Sequence, residues 1–197
     1  MILRTAELDK AEAYRLLIGL IVPRPIAWVG SVSAAGVENL APFSFFMGVS
    51  ASPPSLALSV ARDRRGQRKH TASNILETRD FCVSVVELPD LDVMHASSAE
   101  WPGSEFEALH LESAPGSVVA APRVSRARAS LECRLWHHLD LESTDLLIGR
   151  VECIHIADEL YRDGRFMQED LAVVARLGGD LYTGLGPIMT RARPPRP

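Results

Sequence analysis

Short apolar blocks and two-residue alternation, separated by turn-forming residues, dominate this chain. Asp9 is placed to cap a short helix running to about Leu17, with Leu8, Ala11 and Ile18 available for one face. Pro23 and Pro25 bracket Arg24 and keep that segment extended. Ile26 to Ser33 (IAWVGSVS), apolar with β-branched and aromatic members, predicts a strand. Ala35-Gly36 makes a turn, and Asn39 to Ser50 (NLAPFSFFMGVS) predicts a long, irregular strand. Pro42 inside it points to an edge or a bulge, because proline has no N–H to give to a central ladder. Such a break frees backbone groups to meet a ligand.

After Pro53-Pro54, SLALSVAR predicts a strand with Leu56, Leu58 and Val60 on one side. A charged loop, a short helix from Thr71 to Glu77 and the strand FCVSVVEL follow. Residues 89–128 carry little strand signal and read as helical and loop insertions. Ala129 to Leu141 and Leu146 to Ala157 pair as a hairpin across the polar Glu142–Asp145 turn. The end of the chain, about 183–197, finishes in RARPPRP and reads as an extended arm. At least five short strands with few long helices predict one mostly β domain over 1–197, an antiparallel sheet or barrel with added helices. A parallel sheet needs strand–helix–strand units, and only residues 55–87 offer one.

Composition narrows the function classes. A net charge of −4 argues against a nucleic-acid partner, which calls for a strong basic excess. No apolar run reaches the roughly 18 residues a membrane span needs, so no membrane insertion is expected. The N-terminus carries acidic residues early and does not read as a secretory signal. Cys82, Cys133 and Cys153 lie far apart in apolar or alternating stretches, without a CxxC pair, and fit buried thiols in a reducing cytoplasm.

Against that acidic balance, Arg62 to Lys69 holds five basic residues and one acid, with Thr71 and Ser73 where a helix would begin. Unsatisfied N–H groups and the positive dipole end of a helix, with lysine beside them, can hold a phosphate. A solvated loop with a routine cap fits the same residues. GVENLAPFSFF likewise serves either as a backbone wall for a planar polar ring or as an ordinary aromatic core strand. The six histidines form no metal pattern, and His155, flanked by Ile154 and Ile156, reads first as a satisfied core histidine, with a ligand-facing polar residue as the alternative. There is no nucleophile constellation and no GxGxxG.

Taken together, PRPIAWVGSV (23–32), GVENLAPFSFF (36–46), SPPSLALSV (52–60), RKHTASNI (68–75), SEFEALHL (104–111), LECRL (131–135), LIGRVECIHI (147–156) and ARLGGDLY (175–182) resemble the flavin reductase-like, FMN-binding split-barrel family, in the family's order and over most of the chain. The resemblance implies a Greek-key type split β-barrel that holds FMN at a homodimer interface. Asn39, Leu40, Ala41, Pro42, Phe43 and Ser44 would line the flavin ring. Ser59, Val60, Ala61 and Arg62 would approach the ribityl chain and phosphate. Lys69 and Thr71 match the family's phosphate-binding pair and Asn74 its nearby amide, with Arg68 adding charge and Arg24 a weaker match. His70 stands where the family commonly has aspartate, and the Glu142–Asp145 turn lacks the histidine many two-component reductases place near the nicotinamide.

The activity so implied is hydride transfer from NADH or NADPH to FMN, serving a downstream oxygenase or another electron acceptor. An FMN-bound electron carrier with no nicotinamide site, and a non-redox module for another phosphorylated ligand, are the alternatives.

Overall fold

The structure, a computed structural model, describes residues 1–194. In chain order the strands are β1 (Arg24–Pro25), β2 (Ala27–Val32), β3 (Glu38–Phe43), β4 (Phe46–Ala51), β5 (Pro54–Ala61), β6 (Asp80–Val85), β7 (Ser113–Ala114) and β8 (Arg123–Val124). They continue as β9 (Ala129–Asp140), β10 (Thr144–Ile156), β11 (Tyr161–Arg162), β12 (Arg165–Phe166), β13 (Val174–Arg176) and β14 (Tyr182–Gly184). The helices are α1 (Lys10–Leu20), α2 (His70–Thr78), α3 (Leu91–Ala96) and α4 (Glu105–Ala108).

Seven strands form one antiparallel sheet in the order β3-β2-β6-β9-β10-β5-β4. Side chains one apart point to opposite faces of a strand, and both faces of this sheet are used. Ala27 and Val29 of β2, Leu56, Leu58 and Val60 of β5, Phe81 and Val83 of β6, Cys133 and Leu135 of β9 and Leu147 of β10 share one core. Ala72 and Ile75 of α2 join it, so this helix plugs the curled sheet. On the opposite face Trp28 and Leu40 pack with Met94 of α3, Phe106 of α4 and Val174 of β13. The indole N–H of Trp28 finds its partner there in Ser97 Oγ at 2.9 Å. Gly30 lets the segment at Pro122 approach closely, since a Cβ at that position would lie 2.0 Å from the Pro122 carbonyl oxygen. β13 joins β1 and β14 in a separate three-stranded sheet.

The expected antiparallel, mostly β architecture is what the chain adopts, with three adjustments. The long strand of residues 39–50 divides at Ser44-Phe45 into β3 and β4, which lie at opposite edges of the sheet. The Leu40 N–H is bonded to Glu105, off the β2 side, and strand alternation puts Pro42 on that same free side. A missing N–H there costs no ladder bond. Helix α1 starts where Asp9 caps it, accepting the Glu12 N–H at 2.7 Å, but runs on to Leu20 because the nearest helix breaker is Pro23. The hairpin turn is 141–143, and Asp145 lies within β10, wholly buried.

At the other edge, β4 exposes Met47 and Val49 at 60% and 45%, an apolar strand edge with nothing laid over it in the single chain. Residues 185–194 form no regular element, and the last three residues of the expected arm lie outside the described residues. No helix among the described residues is long and apolar enough to cross a membrane.

Candidate functional site

Three segments singled out in the sequence, 39–44, 59–62 and 68–74, meet at the N-terminus of α2. The first link is a buried polar cluster. Asn39 on β3 donates from Nδ2 to Thr71 Oγ1 at 2.9 Å, and Asn74 Nδ2 donates to Ser31 Oγ at 3.2 Å. All four are at least nine-tenths buried, so the amides of Asn39 and Asn74 fix α2 against β2 and β3. The second link is the Ser59 N–H, which donates to the Phe45 carbonyl at 2.9 Å and ties β5 to the break between β3 and β4.

The third link is ionic. Arg68 Nε donates to Asp145 Oδ1 at 3.0 Å, and Arg62 Nη2 donates to Asp140 Oδ2 at 2.6 Å. His138 shares Asp145 Oδ1 at 2.8 Å. Much of the positive charge read in this loop is therefore met by acids of the β9–β10 hairpin. Arg62 Nε and Asp145 Oδ2 are buried with no hydrogen-bond partner and face each other at 3.8 Å. Lys69, by contrast, is exposed at the N-cap of α2, and the helix has no side-chain cap. The first helix amide bonded to a carbonyl is that of Ser73, to Lys69 O, so the N–H groups ahead of it are free for an anion.

The remaining sequence candidates divide by what they touch. Ala41 and Phe43 turn their side chains into the barrel core, as does Val60, and Ala61 pairs with Thr144 at the end of β5. Leu40 is buried on the outer face and gives its N–H to Glu105 Oε2 at 2.8 Å. Burial pushes the Glu105 carboxyl above its ordinary range. Arg24 is 5% exposed and holds α1 and the segment after β13 together, donating to the carbonyls of Ile18, Ile21 and Leu177. Its Nε reaches Ser44 Oγ at 3.4 Å. Beside Pro42 and Ser44 opens a cavity of about 230 Å³, walled on its far side by His95, Arg176 and Tyr182.

Away from this region, His155 of β10 bonds the wholly buried Glu132 of β9. His155 is thus a histidine with a satisfied partner, though it is partly exposed. Glu132 also accepts the N–H groups of Ser117, Val118 and Val119. Burial alone would raise its pKa; the bond from His155 and the three amides outweigh that and hold it at about 2. Of the three free cysteines, Cys82 and Cys133 are buried and their thiols are pushed up, Cys82 to about 12, while Cys153 is partly exposed.

Sequence reading missed Asp140, Asp145 and His138 as partners of the basic loop, and Ser31 and Glu105 as anchors of β3. The signal for the first three was the density of polar residues around the hairpin, HHLDLESTD, which reads equally well as a turn. His95, Arg176 and Tyr182 had no local signal beyond lying in or near a quoted motif.

Comparison with known proteins gives matches over most of the chain. The flavin reductase like domain matches residues 19–170. A protein of Halalkalibacterium halodurans is 39% identical, over 98% of this chain and 97% of its own. The crystal structure of nitrilotriacetate monooxygenase component B from Bacillus cereus is 35% identical with a TM-score of 0.91, covering 97% of this chain and 98% of that one. A split barrel domain structure from Shewanella frigidimarina, 24% identical, gives 0.83 over 98% of each chain and shares the fold.

Proposed function

Because the chain belongs to the flavin reductase-like family, we propose that it is an FMN-dependent oxidoreductase that takes a hydride from NADH or NADPH and works as a cytoplasmic homodimer. The observation that carries this reading is the meeting of β3, the end of β5 and the loop before α2 around one uncapped helix N-terminus.

The donor set there fits a flavin mononucleotide. Lys69 and the free N–H groups of α2 would hold the phosphate, with Thr71 fixed behind them by Asn39. Arg62 Nε makes no hydrogen bond among the described residues and faces Asp145 Oδ2 at 3.8 Å, so Arg62 would add positive charge near the phosphate. Asn39 to Ser44 would run along the ring, presenting the free side of an edge strand. When bound, FMN would supply the redox chemistry, with its N5 as the hydride acceptor. The protein's own task is then to orient and to exclude water, and no side chain need act as acid or base at that atom. The apolar edge of β4 supports a dimer, since a second copy laid there would cover Met47 and Val49. The free thiols fit a reducing compartment. A downstream oxygenase or other electron acceptor would consume the reduced flavin.

The test is an absorption spectrum of the purified protein with FMN, before and after anaerobic NADH and NADPH. Bleaching of the flavin band by either nucleotide is the expected result. A flavin band that only dithionite bleaches would mean an electron carrier without a nicotinamide site. A protein that takes up no FMN would overturn the reading altogether.

A further inference from the structure

The cavity beside Pro42 and Ser44 is built differently from the phosphate end of the site. It carries two guanidinium groups, Arg24 and Arg176, and no carboxylate in its wall. Asp180 lies 3.8 Å from Arg176, with its side chain fully exposed to solvent. Arg24 spends both Nη groups on backbone carbonyls, so it acts there as a fixed positive charge. Arg176 bonds the Tyr182 hydroxyl and the Gly179 carbonyl, and lies over the Tyr182 ring at 4.4 Å.

Tyr182 accepts from Arg176 and meets His95 Nδ1 at 2.9 Å. With Nδ1 accepting from the Tyr182 hydroxyl, His95 would present its Nε2–H to the cavity as a donor. Ser44 accepts from Arg24 and likewise keeps a hydrogen to give. Ile26 and Met94 supply buried apolar wall between these groups. At about 230 Å³ the cavity is below the roughly 300–1,000 Å³ of sites for drug-sized molecules, which suits a single ring rather than a dinucleotide.

We propose that this cavity binds a small organic anion, a carboxylate carried on about one aromatic ring, beside the flavin. The second half rests on the flavin lying along Asn39–Ser44; the first half stands on the cavity itself. The anion would take its charge complement from Arg24 and Arg176 and its directed bonds from His95 and Ser44, with the ring against the apolar wall.

The probe is 4-fluorobenzoate, followed by fluorine NMR and by flavin difference absorbance on the FMN-loaded protein, with 4-fluorobenzamide as the uncharged counterpart. Binding of the benzoate with a shifted flavin band, and at least tenfold weaker binding of the amide, are expected. Arg176→Gln should weaken the benzoate at least tenfold and Arg176→Lys should retain most of it. If Arg176→Gln does not fold, His95→Leu, on the exposed surface of α3, tests the same pocket. No binding to FMN-loaded protein, or equal binding of amide and benzoate, overturns the proposal. Binding with an unmoved flavin band overturns its placement beside the ring. Benzoate bound in an Arg176-dependent way by a protein that takes up no FMN would uphold the cavity and sink the flavin reading instead.

Discussion

Replacing Lys69 by alanine isolates the phosphate end of the site from the fold around it. Lys69 is exposed at the N-cap of α2 and makes no ion pair among the described residues. Its loss should therefore change folding stability by no more than about 0.5 kcal/mol, the usual range for a surface position. A hydrogen bond to a charged group contributes about 1.5–3 kcal/mol, which is about ten- to a hundredfold in FMN affinity. Riboflavin lacks the phosphate, so its affinity should stay the same in Lys69→Ala. Arg68→Ala gives the contrast: Arg68 bonds the buried Asp145, so its removal should lower stability and FMN affinity together. Flavin fluorescence titrations of both ligands into wild type and both variants, with urea unfolding alongside, separate the effects. Parallel weakening of FMN and riboflavin in Lys69→Ala would refute the assignment and return this loop to a solvated surface.

Three further outcomes are expected. Sedimentation at micromolar concentration should show a dimer, whose interface would bury more than about 2,000 Å²; a flavin-bound monomer contradicts this. Glu132, held at about 2 against an ordinary 4.5, contributes about 3 kcal/mol that is fully present above pH 4.5 and lost as pH falls through 2. The stability gap between wild type and Glu132→Gln should thus shrink by more than half between pH 7 and pH 3, and a gap that ignores pH would count against the bonding described. Gly30→Ala should lower stability by about 1–3 kcal/mol in urea unfolding, because its Cβ would meet the Pro122 carbonyl oxygen; an unchanged midpoint would show that this segment yields freely.

The fold was largely legible because strands and turns are written locally. Leu56, Leu58 and Val60 declared a buried face, Asp9 declared a helix start, and Pro42 declared an edge. What was not legible is what distant segments do to one another. Nothing near Arg62 or Arg68 reveals that Asp140 and Asp145 return to meet them from another hairpin. Arg24 read as part of an extended segment and a weaker match to a flavin site, yet its charge is locked onto carbonyls as far away as Leu177. The division of residues 39–50 between opposite edges was hidden for the same reason. The chain bends at Ser44-Phe45 and takes new pairing partners, and neither residue at the bend is a glycine or proline that would announce it.

Helix α2 has two ends to its work. Its first turn faces the proposed anion, while Ala72 and Ile75 fill the barrel interior. Whatever grips that turn also holds the stopper in the barrel, so occupancy and foldedness are thermodynamically linked. A ligand present at a hundred times its dissociation constant adds about 2.7 kcal/mol to stability. Withdrawn, it leaves a larger share of molecules open to proteolysis at any moment. The standing amount of this protein in a cell would then follow its flavin supply through survival of the folded chain, with no separate sensor required.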